Sequence, residues 1–198
     1  MFFHNRRTFF IILSLVMLVL LFFSNHQTSP TQLVDINSAD TAWMIVASAL
    51  VLLMTPGLAF FYGGMVNKKN VISTMLQSFI ALGIISLIWV LFGFSLAFGD
   101  SVNGWGIIGN PLQHLCLDNL DSKNSNIPYL LFALFQLKFA IITPAIITGS
   151  FAERIRFRSY LLFMILFCVF IYSPIAHTTW SPEGVFANFG DVIGIKGY

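Results

Sequence analysis

Residues 54–70 read MTPGLAFFYGGMVNKKN, which places Pro56-Gly57 inside an apolar run, adds aromatics and Gly63-Gly64, and closes on Lys68-Lys69. A helix breaker in an apolar run is informative because proline removes a backbone hydrogen bond that lipid cannot replace. Lys68 and Lys69 then read as the anchor of a membrane span, and the two glycines as the point where the chain leaves the helix. Two readings of Pro56-Gly57 are open: a packing kink with Gly57 as a close-contact point, or a helix bent beside a pathway.

The rest of the chain supports a membrane setting. Of its 198 residues 57% are hydrophobic and 9% charged, with 22 Phe, against about 25% charged residues in an ordinary soluble domain. Its net charge of +2 and scattered Lys and Arg form no stripe for nucleic acid. Cys116 and Cys168 are too few for a disulfide framework and read as two free thiols.

Apolar segments at about 41–65, 71–98, 127–151 and 159–180 are each long enough to cross a hydrocarbon core of about 30 Å. A shorter one, TFFIILSLVMLVLLFF at 8–23, follows Arg6-Arg7 and gives residues 1–29 the layout of a signal peptide or uncleaved signal anchor. Alternating the connections puts seven basic residues (Arg6, Arg7, Lys68, Lys69, Arg154, Arg156, Arg158) on one side and two (Lys123, Lys196) on the other, so the first side is expected to be cytoplasmic. Gly93-x-x-x-Ala97 and Ala145-x-x-x-Gly149 place small residues for close helix packing. The fold expected is all-α, a polytopic membrane helical bundle.

Some polar residues carry expectations of their own. The 99–126 loop has turn chemistry and no obvious site, with His114 a solvated loop histidine. Lys138, inside a span, should snorkel or pair with a buried acid, with repulsion of cations as the alternative. Glu153 in FAERIRF should pair with Arg154 or Arg156, and His177 should order a helix–loop junction. No catalytic triad, metal cluster, phosphate loop or cofactor motif is visible, so neither an enzyme nor a cofactor is expected.

Phe135 and Phe139 are four residues apart and share one helix face, and Trp180 closes the following span. Three converging rings can cage a cation, each face contributing about 0.5–2 kcal/mol. Spacing alone favours a packing and interfacial role, since Phe is abundant and Trp frequents membrane interfaces.

The stretches LMTPGLAFFYGGMVNKKNV (53–71), LIWVLFGFSLAFGD (87–100), FQLKFAIITPAIITGSFAERIRFRSYL (135–161) and YSPIAHTTW (172–180) together resemble the amino-terminal part of the ammonium transporter (Amt) family of the Amt/Rhesus superfamily. That resemblance implies the inverted-repeat ammonium channel fold, with residues 40–198 as its amino-terminal transmembrane part. It implies that Phe135 and Trp180 bind ammonium at an outer site and that Phe139 is the first ring of a gate. Leu58 and Ile146 would line an apolar pore in which ammonium gives up its proton and ammonia passes. It further implies a homotrimer in the inner membrane, contact with lipid, and a cytoplasmic regulator of the PII type. The family's second gate Phe, pore histidines, structural Asp and ammonium-binding Ser have no counterpart here, so the 198 residues alone are expected to be inactive. An ammonium sensor and a non-conducting membrane fragment are the alternative readings.

Overall fold

A computed structural model describes residues 36–118, 120 and 126–192. The segment expected as a signal peptide or anchor, 1–29, lies outside them, as do Lys123 and Lys196. Among the described residues the protein is helical, with one isolated antiparallel bridge, Ser101–Gly109.

Helix α1 runs over Ser38–Met65. Asn37 starts it: its side-chain oxygen accepts from the backbone N–H of Ala39 at 2.9 Å and of Asp40 at 3.3 Å, satisfying two of the donors a helix start leaves open. Helix α2 occupies Lys68–Phe98 and α3 Tyr129–Phe151. Helix α4 spans 157–180, and a short α5 covers Val185–Val192. Four apolar stretches are long enough to cross a membrane: Ser38–Met65, Lys68–Phe98, Tyr129–Phe151 and Phe157–Asn188.

Lipid tails are as apolar as leucine, so packing of small residues has to bring such helices together. The interior shows this directly: Ala59, Ala81, Ala97, Ala133, Ala140 and Ala145 are all at 0% exposure, while large side chains such as Leu53, Phe60, Ile72 and Phe170 face outward. Along α1 the buried residues are Thr55, Ala59 and Gly63, a seam of small side chains on a helix that packs against α2 and α3.

That seam changes the reading of the glycines. Helix α1 continues through Gly63 and Gly64 to Met65, so they do not end it. Gly63 is instead a contact point, where an added Cβ would lie 2.8 Å from Met75 Cγ on α2. Among the described residues nothing lies within 4 Å of such a Cβ at Gly57, which speaks against the close-contact reading of that position. Pro56 stands within continuous helix.

Two wider turns escape sequence reading. Helix α2 carries a π-helical turn at Trp89–Gly93 and α4 another at Cys168–Tyr172. Buried residues of α4 recur every fourth position, at Tyr160, Met164, Cys168, Tyr172 and Ala176. Each four-residue step overshoots an α-helical turn by about 40°, and a π turn absorbs the excess, returning the stripe to the core. The two π turns adjoin, with the Trp89 and Tyr172 rings 6.0 Å apart, and Trp89 Nε1 donates to the Ala133 carbonyl of α3 at 3.1 Å.

Candidate functional site

Three rings meet where α3 and α4 adjoin at the Trp180 end of the bundle. Phe135 and Phe139 stack edge to face one turn apart on α3, with centroids 5.0 Å apart at 72°. Trp180, the last residue of α4, lies 6.5 Å from Phe139 at 64°. Phe139 is the ring common to both pairs. Trp180 is 51% exposed, so the cluster has an open face.

The position of Trp180 depends on the turn before it. After the π turn, His177 points into the core at 0% exposure, and its Nδ1 bonds the Ala97 carbonyl of α2 at 3.1 Å, which requires the proton on Nδ1. Backbone bonds then fold the chain tightly beyond Trp180: Ser181 N–H donates to the His177 carbonyl at 3.2 Å and Gly184 N–H to the Ser181 carbonyl at 2.9 Å. His177 therefore orders the helix–loop junction.

The loop after α2 packs onto this end rather than extending into solvent. Val185 N–H donates to Gly106 O at 3.1 Å, and Ser101 N–H donates to Glu183 Oε2 at 2.6 Å. His114 departs most from expectation: it is 1% exposed, its Nδ1 bonds the Asp118 carbonyl at 3.1 Å, and its ring lies 5.8 Å from Phe94. Its backbone N–H donates to Ser95 Oγ at 2.9 Å, which draws the loop down onto α2.

Leu58 is half-buried on α1 against the core, and Ile146, 53% exposed, lies on α3. By helical geometry Phe135, Phe139 and Ile146 fall within about 40° of one another around α3, with Ile146 about 10 Å along the axis from Phe139. The structure thus brings Phe135, Phe139 and Trp180 into contact and sets Ile146 on the same α3 face, while Leu58 stands on a neighbouring helix. Lys138 is half-buried on α3, and among the described residues no acid pairs with it.

At the opposite end, carrying Lys68 and Lys69, Glu153 does not pair with Arg154 or Arg156 as expected. Its Oε1 accepts from the Asn67 backbone N–H at 2.9 Å and from Asn70 Nδ2 at 2.9 Å, and Asn67 Nδ2 donates to both carboxylate oxygens at 3.1 Å. The Asn70 side chain, then the Asn67 backbone, hold its carboxyl below the ordinary range, with Lys69 adding a smaller pull. Beside it an open cleft of about 570 Å³ is lined by Tyr62, Met65, Ile146, Gly149 and Ser150 among others. The Tyr62 hydroxyl donates to the Ile146 carbonyl, and an added Cβ at Gly149 would lie 2.5 Å from Tyr62 Cε1.

An all-α bundle of four membrane-length helices, with an aromatic cluster open at one end, is the architecture of an integral, multi-pass membrane protein. The chain belongs to the ammonium transporter family: the model of the Ammonium Transporter Family matches residues 42–195. An ammonium transporter of Mycobacterium tuberculosis (strain ATCC 25618 / H37Rv) is 43% identical over 178 residues, covering 81% of this chain and 37% of the relative. One of Bacillus subtilis (strain 168) is 49% identical over 144 residues, covering 72% and 35%. Among solved structures, Candida albicans Mep2 superposes with a TM-score of 0.69 at 31% identity, covering 78% of this chain and 34% of Mep2. A structure titled Sensor Amt Protein gives a TM-score of 0.65 at 30% identity, covering 71% and 33%. The chain spans about a third of the length of these proteins.

Proposed function

We propose that these helices form part of the wall and the entrance of an ammonium pathway. The observation that carries this reading is the Phe135–Phe139–Trp180 cluster, open on one side, in a chain whose relatives are named ammonium transporters. Phe135 and Trp180 attract the cation through their ring faces. Phe139, in contact with both, closes the way below. Leu58 and Ile146 continue the wall. An ammonium ion entering so apolar a path loses its hydration at a cost of several kcal/mol, so the ion is held at the rings, gives up its proton, and ammonia proceeds. Potassium has no proton to give up and is refused.

The basic loops at 66–70 and 152–158 are cytoplasmic in this reading, residues 40–198 are the amino-terminal transmembrane part of the transporter, and 1–29 is its signal or anchor. Ile146 and Trp180 are half-exposed, so other helices must complete the conduit, and these 198 residues alone do not conduct. Homotrimers and a cytoplasmic PII-type regulator belong to the complete assembly, which sits in lipid of the cell membrane. An ammonium sensor is the second reading, supported by the likeness to the Sensor Amt Protein.

The test restores a full set of spans by fusion to a relative and follows methylammonium uptake in a strain deficient in it. Trp180→Leu keeps apolar bulk but removes the ring face, and weakens recruitment; Phe139→Ala alters flux and proton coupling more than affinity. Because both residues act on one ion, their effects are non-additive in a double-mutant cycle. Wild-type uptake and selectivity in both single variants would return the rings to a packing role.

A further inference from the structure

We infer that Glu153 is a positioning residue for the conduit wall: its carboxylate clasps the turn between α1 and α2 to the end of α3, and so sets where Ile146 and Tyr62 stand. The inference rests on the reading of Ile146 as conduit wall.

Glu153 occupies an expensive backbone conformation, with φ +63°. A side chain other than glycine, asparagine or aspartate is uncommon there, and the usual occupant of such a turn is glycine. A glutamate in this place is there for what its carboxylate does. The carboxylate engages donors 83 and 86 residues away, on Asn70 and Asn67. Asn70 immediately precedes the α-helical part of α2 and caps it with no side-chain bond of its own, because its amide is turned to Glu153. The negative charge therefore lies by the amino-terminal end of α2, where the helix dipole favours it. One side chain thereby ties the end of α3 to the start of α2 and to the turn leaving α1.

The same helix ends carry the second link. Tyr62, on the last turn of α1, bonds the Ile146 carbonyl, and its ring lies so close to Gly149 that an added Cβ there would have to displace it. Ile146, Tyr62, Gly149 and Glu153 all line the 570 Å³ cleft. If the clasp opens, α1 and α3 lose the restraint that holds Tyr62 on Ile146, and the wall at this end changes shape. The aromatic cluster, about five helical turns away along α3 from Phe135 to Glu153, is unaffected.

The decisive substitution is Glu153→Gly in the complete transporter. Glycine adopts φ +63° without penalty, so if Glu153 serves only the turn, the variant is as good as wild type or better. The clasp instead requires that maximal uptake fall about tenfold, the factor for loss of hydrogen bonds to a charged group, with the half-saturation concentration unchanged. In a background lacking Cys116 and Cys168, Thr148→Cys reports on the clasp directly. Thr148 is buried at 0% exposure, and thiol labelling there, in detergent-solubilised protein, accelerates about tenfold with Glu153→Gly. Asn70→Ala combined with Glu153→Gly is non-additive in the same assay. Glu153→Gln, which retains one acceptor oxygen, gives a smaller acceleration and serves if the glycine variant does not fold. Unchanged uptake and labelling overturn the inference, as does a shift in half-saturation alone or a loss of flux without faster labelling. Should the complete protein take up no ammonium at all, the proposed function fails, while the labelling rates still judge the clasp.

Discussion

At the Trp180 end, α2, the loop after it and the start of α5 are joined by many backbone bonds, such as Gly109 N–H to the Leu96 carbonyl at 2.9 Å, Val102 N–H to the Ile108 carbonyl at 3.0 Å and Val185 N–H to the Gly106 carbonyl at 3.1 Å. At the Lys68–Lys69 end, two short turns meet on the carboxylate of Glu153. Main-chain bonds do not depend on the identity of a rim side chain, so the web tolerates substitution at its rim, while the buried His177 ties this end to α2. A join made by one carboxylate is specific, and the Tyr62–Ile146 bond is its reserve.

His177→Ala should be the most damaging single change to the first end. It leaves a cavity in a fully buried position and the Ala97 carbonyl without its donor, together costing about 3 kcal/mol, and it should shift the fluorescence of the neighbouring Trp180. Thermal unfolding in detergent measures the first effect and emission spectra the second; an unchanged spectrum would sever His177 from the placement of the ring.

Gly149→Ala tests the other end. The added methyl meets the Tyr62 ring, and overpacking of this kind costs about 1–3 kcal/mol. Pairing it with Tyr62→Ala should recover part of the loss, because the clash is with that ring; no recovery means α1 and α3 are not in contact there.

Tyr62→Phe keeps the ring and removes one hydrogen bond to Ile146, worth about 1 kcal/mol. Glu183→Gln, at the opposite end, should cost less, since backbone bonds persist around Ser101. If the two substitutions prove equally costly, the contrast between web and clasp is lost.

Acid should produce the smallest effect at the clasp. Glu153 has its pKa lowered from an ordinary 4.5 in the folded protein. Its contribution is therefore complete above that ordinary value and is lost as pH falls through the lower folded value. Between pH 8 and about 5 the difference in thermal unfolding midpoint between wild type and Glu153→Gly should not change; in stronger acid wild type should lose stability relative to Glu153→Gly as the carboxylate is neutralised. Because the carboxylate is exposed, added salt should weaken the charge contribution.

Reading along the chain located much of this molecule because the signals concerned are local. Four apolar runs became four helices of membrane length, and the i, i+4 spacing of Phe135 and Phe139 already placed them on one face. Of the small residues legible as packing positions, Gly93, Ala97 and Ala145 are buried, whereas Gly149 is exposed although the Tyr62 ring lies close to it. Sequence misleads where a residue's partner is distant. The polar loop around His114 suggests solvent, and nothing nearby signals that Ser95 draws it beneath the surface. Glu153 has arginines close by in sequence, whereas its partners lie more than 80 residues earlier.

The sequence by itself determined that this protein lives in lipid, how many described helices can cross it and which ends are basic, since hydropathy and charge act over a single span. Tertiary structure alone decided that Trp180 meets Phe139, that His177 faces Ala97, that Tyr62 covers Gly149 and that Glu153 binds Asn67 and Asn70. Each of those contacts joins distant parts of the chain, and the two made by α4 depend on phase: the π turn at Cys168–Tyr172 rotates the last two turns of α4 by accommodating one extra residue, a rotation that no composition or spacing rule for ideal helices contains.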